Sequence, residues 1–287
     1  MKALRSLRDY KNQLGEGASV DAPKWIVRGA RLGYAARGVV YVLVGGLALL
    51  AALGRGGETG DTKDALKATL SAPGGWVLLA ALAVGLVAFA LWRGFQAAVD
   101  PDHGKLDAKS VARRVGFLFS AGTYALLAVA AARLALGNGG GGGSDTDSWT
   151  AWLMGQPFGR WLVGLLGAAV IGVGVFMIVK AWRRKYENKL DLARPLMQKL
   201  RPVCRFGIAA RGAVFFVIGG FFVYAAYAYD PSKAGGLKEV FGEVRGQPFG
   251  QILLGVLAAG LFSFGVYGLV QARYRRVGTT KTAGAAG

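Results

Sequence analysis

RLGYAARGVVY, residues 31–41, is written three times in this chain. Without gaps it lies over RVGFLFSAGTY at 114–124 and RFGIAARGAVF at 205–215. Further on, APGGW at 72–76 lies over QPFGR at 156–160 and QPFGQ at 247–251. A fixed period is the signature of a repeat architecture. Each copy carries two long apolar runs. An even number of crossings per copy keeps all three copies in one orientation, so that they can surround a single axis along the membrane normal.

The apolar runs are residues 38–53, 76–92, 115–132, 161–179, 212–229 and 252–270, and none holds Asp, Glu, Lys or Arg. Each approaches the roughly 20 residues that cross a bilayer, and flanking residues complete the span. Hydrophobic residues make up 53% of the chain. The pattern predicts an all-α polytopic integral membrane protein: six transmembrane helices as three parallel two-helix repeats with pseudo-threefold symmetry. The predicted units are a polar segment at 1–23, which reads as a basic amphipathic helix or a disordered tail, repeats at 24–110, 111–201 and 202–276, and a flexible tail at 277–287. Short interfacial helices are expected just before the even-numbered spans, at 65–70, 149–154 and 237–241. Pro73, Pro157 and Pro248 are expected to start those spans, where a missing N–H costs nothing.

A net charge of +19 invites a nucleic-acid reading. Its distribution argues for orientation instead. All basic residues except Arg55, Lys63, Lys67, Arg133, Arg160, Lys233, Lys238 and Arg245 fall on one side of the predicted spans. That is the positive-inside pattern, with both termini cytoplasmic. Anionic headgroups are therefore expected partners, at roughly 1 kcal/mol per basic residue near the surface, and no nucleic acid is needed. Richness in Ala, Gly and Arg points to a bacterial genome, hence to the bacterial cytoplasmic membrane. Trp25, Trp92 and Trp182 are expected as anchors at the inner interface, and Trp76, Trp149, Trp152 and Trp161 at the outer one.

Catalytic chemistry finds no footing. No carboxylate lies inside a span to hold a proton or cation. One histidine, His103, and one cysteine, Cys204, exclude a histidine zinc cluster and an intramolecular disulfide. The expectation is no enzyme, no metal and no cofactor. What remains is basic. Arg31, Arg114 and Arg205 share one aligned position at the inner mouth of the odd-numbered spans. Arg37, Ser120 and Arg211 follow six residues later, about 9 Å deeper. A guanidinium fork suits phosphate or carboxylate, which makes these six the candidate anion- or lipid-binding residues. The structural reading comes first: arginines that snorkel to lipid phosphates, or bond carbonyls and Asp107 or Asp191. A second stripe is small: Ala80 and Ala88, then Gly164, Ala168 and Gly172, then Gly255, Ala259 and Ser263. Four-residue spacing of small side chains permits close helix approach in lipid.

The threefold motif and the QPFG-type turn resemble a bacterial membrane family catalogued as domain of unknown function 1206, over roughly residues 25–276. The resemblance implies six transmembrane helices in three two-helix units and no established activity. Three functions follow as expectations: binding of an anionic ligand or lipid headgroup through cytoplasmic-side arginines, a small-anion channel or carrier along the repeat axis, or a membrane scaffold for a protein partner.

Overall fold

The computed structural model describes residues 24–54, 62–71, 74–99, 108–137, 145–184 and 186–275. The segment 1–23, Pro73, His103, Asp107, the glycines at 139–143 and the tail 277–287 lie outside them. The described residues form nine α-helices: α1 Lys24–Ala52, α2 Thr62–Leu70, α3 Gly75–Val99, α4 Ala108–Ala135, α5 Asp145–Met154, α6 Gly159–Trp182, α7 Arg194–Ala228, α8 Leu237–Gly246 and α9 Gly250–Tyr274. Six of them, α1, α3, α4, α6, α7 and α9, are long and apolar enough to cross a membrane. At 1.5 Å per residue each exceeds the roughly 30 Å hydrocarbon core. The protein is a multi-pass membrane protein built from three repeats.

The three expected interfacial helices are present as α2, α5 and α8. The turn after them works differently from the proline-started helix expected. Phe158 and Phe249 sit in the left-handed region, at φ 62° and 61°, and Gly74 takes the aligned position at φ 71°. The next residue, Gly75, Gly159 or Gly250, opens the long helix and lies directly against the last carbonyls of the short one. Gly159 N–H donates to Gln156 O and Gly250 N–H to Gln247 O, both at 2.8 Å. A side chain at the glycine would strike backbone. Gly159→Ala and Gly250→Ala are each expected to cost about 1–3 kcal/mol, the usual range for overpacking, measured as a lower melting midpoint in detergent.

Between repeats, the helices meet along seams that the repeat reproduces. On α1 and α9, Gly38 faces Gly265, and Gly45 lies against Ala258 and Phe262. On α7 and α6 the equivalent positions are Gly212 against Gly174 and Gly219 against Gly167. On α4 and α3 alanine takes these places, with Ala128 and Ala83 both buried. A Cβ at Gly174 would lie 2.7 Å from Gly212 O, and one at Gly212 would lie 2.8 Å from Gly174 O. The seams therefore run at seven-residue spacing, through residues other than the stripe read from the sequence. Of that stripe, Ala168 and Gly172 are exposed, and nothing lies within 4 Å of a Cβ placed on Gly172. Gly164 and Gly255 make only ordinary contacts, with Ala226 and Ala52. Ala80, Ala88, Ala259 and Ser263 are half-buried. Seven residues bring the chain back to almost the same face of a helix, whereas steps of four drift around it.

Within repeats the symmetry breaks. In the first, Gly33 packs on Phe89 and Gly85 on Ala36; in the third, Gly207 packs on Phe264 and Gly260 on Ala210. In the second, nothing lies within 4 Å of a Cβ on Gly116, and α4 and α6 lack the close approach of the other two hairpins. The packing order is α4–α3–α1–α9–α7–α6, open between its two ends. Sequence supplies the cause. Phe119 stands where Ala36 and Ala210 permit close approach, and Val173 replaces the ring of Phe89 and Phe264. Phe119 is 62% exposed. Only 17% of the apolar window is buried in α4 and in α6, against 39–44% in the other four spans.

Candidate anion site

The cationic positions converge inside this arc. Arg37, on α1, is buried, and its Nη2 donates to Gln271 Oε1 on α9 at 2.6 Å. Its guanidinium carbon lies 5.2 Å from the ring centres of Tyr34 and Phe89 and 5.1 Å from that of Phe264. Arg211, on α7, lies over the same Phe264 ring at 4.5 Å, over Tyr41 at 4.6 Å and over Phe215 at 4.9 Å. It donates to the hydroxyl of Tyr124, on α4. Arg93, on α3, lies 5.0 Å from Phe89 and 5.3 Å from Phe117, and donates to Gln96 at 3.2 Å. Three guanidinium groups thus share two phenyl rings. Tyr41 and Tyr124, at equivalent positions in their repeats, hydrogen-bond to each other beside Arg211.

Cation–π contact supplies about 2 kcal/mol when desolvated. It leaves hydrogen-bonding capacity unused. Nε of Arg37, Arg93 and Arg211 and Nη1 of Arg211 are buried without an acceptor among the described residues. The residues that act most strongly on Arg211 are tyrosines, and Arg37 and Arg211 act on each other as like charges. Lys180, on α6, and Arg275, at the end of α9, stand close enough to extend the positive field. No span contains a carboxylate to balance it. Chemically, the arrangement can accept a multiply charged or forked anion.

A contrasting cleft of about 320 Å³ lies outside this cluster, between Glu187, Leu190, Arg194, Met197 and Arg201. There Arg201 already has a carboxylate partner. Arg201 donates to both Glu187 oxygens, at 3.0 and 3.3 Å. Burial pushes the nearby Tyr186 phenol up to about 12, and its hydroxyl donates to Arg201 O at 3.3 Å.

Of the six arginine-row candidates, the structure brings together Arg37 and Arg211. Ser120 is half-buried on α4. The outer row does not converge: Arg31 is exposed, Arg114 is half-buried, and Arg205 lies 4.7 Å over the ring of Trp182. Trp92, expected as an interfacial anchor, is buried instead, its Nε1 donating to Tyr34 Oη at 3.2 Å. Trp76, Trp152, Trp161 and Trp182 are exposed. Sequence reasoning missed Arg93 and Gln271 as site members. The available signal was that Gln96, Lys180 and Gln271 are one aligned position, polar in every copy at the end of an apolar span. Among the described residues no cluster of His, Cys, Asp or Glu has metal-ligand character.

The model of the family described as Domain of Unknown Function (DUF1206) matches the chain three times, at residues 32–100, 115–184 and 206–275. The chain is also similar to the uncharacterized protein YxxB of Bacillus subtilis (strain 168), 33% identical over 256 residues, covering 88% of this chain and 92% of that protein. No solved structure matches it.

Proposed function

The chain belongs to the DUF1206 family, and we propose that it is a non-enzymatic membrane protein that binds an anionic ligand at Arg37, Arg93 and Arg211. The observation that carries this reading is the cluster of buried Arg37 with half-buried Arg93 and Arg211, whose buried nitrogens are open donors, and no intramembrane carboxylate. Buried charges in folded proteins are normally paired, and here the missing partner is an anion. A lipid headgroup is the form in which a membrane supplies one. The positive-inside count supports an orientation with this end of the bundle on the cytoplasmic face of a bacterial inner membrane and both termini inside, next to anionic headgroups. Tyr41 on α1 and Tyr124 on α4 bond directly to each other beside Arg211, and a direct link between these helices favours a binding site over an open path between them.

Native mass spectrometry of the detergent-purified full chain tests this. Phosphatidic acid and phosphatidylglycerol are expected to be retained at least tenfold better than phosphatidylcholine. Arg37→Gln is expected to weaken retention about 10–100-fold, the equivalent of one charge-assisted hydrogen bond at 1.5–3 kcal/mol. Equal retention of the zwitterionic lipid, or no effect of Arg37→Gln, would contradict the reading.

A further inference from the structure

We infer that the open side of the arc, between α4 and α6, is the route by which a phospholipid reaches the arginine cluster, and that its acyl chains rest in this gap while its phosphate meets Arg37 and Arg211. The inference rests on the anion-site reading above and adds the ligand's class and its path. Three observations carry it. The first and third hairpins close through small residues, whereas the second lacks that close contact at Gly116. The residues that align with the closed contacts of the other hairpins are apolar and uncovered: Phe119 is 62% exposed on α4 and Val173 47% on α6. The guanidinium cluster reaches α4 itself, where Arg211 donates to the hydroxyl of Tyr124. An apolar slot that leads to uncompensated positive charge complements one kind of molecule, an amphiphile with an anionic head. A free anion matches the charge but gains nothing from the slot.

The test uses phosphatidic acid carrying a photoreactive diazirine in one acyl chain, added to the full chain in detergent, with adducts mapped by mass spectrometry. Adducts are expected to concentrate on α4 and α6 residues beside the gap, and unlabelled phosphatidic acid, but not phosphatidylcholine, should compete them away. The double variant Arg37→Gln/Arg211→Gln should lower them at least tenfold. Gly116→Leu, at the position where Gly33 and Gly207 pack on their partner spans, fills space where nothing lies within 4 Å of the added Cβ. It should lower the adducts about tenfold while leaving the thermal stabilisation by inorganic phosphate unchanged. Adducts spread evenly over all six spans and indifferent to the arginines would overturn the route. If phosphate stabilisation then persists, the site takes a free anion and the anion-site reading stands; if it too is absent, both fall. Cross-links joining α4 and α6 of two copies would likewise overturn the route, assigning the gap to a second copy of the chain.

Discussion

Arg211→Met leaves the empty protein as stable as the native chain, or up to about 2 kcal/mol more stable, and abolishes its stabilisation by added anion. The sign follows from competing magnitudes. An arginine inside a span costs about 2.5–3.5 kcal/mol on insertion scales. The guanidinium carbons of Arg37 and Arg211 lie 5.1 and 4.5 Å from the same Phe264 centroid, so they are within about 10 Å of each other. At an effective dielectric of 20 such like charges repel by about 1.7 kcal/mol. Against this stand one charge-assisted hydrogen bond to Tyr124, about 1.5–3 kcal/mol, and cation–π contact, which a methionine sulfur partly replaces. A structural arginine behaves oppositely: removing one partner of a buried pair costs about 3–5 kcal/mol. Thermal unfolding with and without anion reads both quantities. At a hundredfold excess over Kd the native chain gains about 2.7 kcal/mol, and the variant is expected to gain none. A large drop in the midpoint of the empty variant would assign Arg211 to the fold and remove it from the site.

Gly174→Leu is expected to abolish recovery of folded protein, whereas Gly172→Leu, two residues away on α6, is expected to be silent. Gly174 and Gly212 approach so closely that a Cβ on either meets the other's carbonyl oxygen within 2.8 Å. A leucine there must push α6 off α7, and in lipid no hydrophobic drive compensates for the lost packing. The cost exceeds the 1–3 kcal/mol of ordinary overpacking, because a whole leucine side chain, rather than one methyl, must be accommodated against backbone. Gly172 faces open space. Detergent extraction followed by size exclusion separates the outcomes: a monodisperse peak for Gly172→Leu, and aggregate or nothing for Gly174→Leu. Equal behaviour of the two variants would mean that the repeat seam is misplaced.

The spans are legible in the sequence, whereas the way they cross is not. An uncharged apolar run as wide as a bilayer belongs in lipid, and the threefold repetition of RLGYAARGVVY makes six such runs a pattern. The interfacial helices are legible from spacing, but the turn after them is not. The rule that proline opens helices favours Pro157 and Pro248, yet the left-handed conformation falls on Phe158 and Phe249, which propensity disfavours. The close-packing glycines are partly legible: alignment shows Gly38 beside Gly212 and Gly174 beside Gly265, but only the crossing geometry tells that these, rather than Gly164 and Gly172, meet a neighbour. Within the site, Arg37 and Arg211 are marked by depth alone. Arg93 is hidden because it stands at the end of α3, where membrane orientation already accounts for a basic residue. The broken second hairpin is spelled out at Phe119 and Ser120. Its meaning appears only against the closed first and third copies.

The central claim is that three membrane hairpins hold an unbalanced cluster of arginines open to an anion between α4 and α6. A density map of the chain purified with its co-extracted lipids tests this most directly. The expected map shows a phosphate-sized feature within hydrogen-bonding distance of Arg37 and Arg211, continued by acyl density between α4 and α6. A map in which those helices are packed together, with Arg37 and Arg211 bonded to carboxylates of the chain itself, would contradict it.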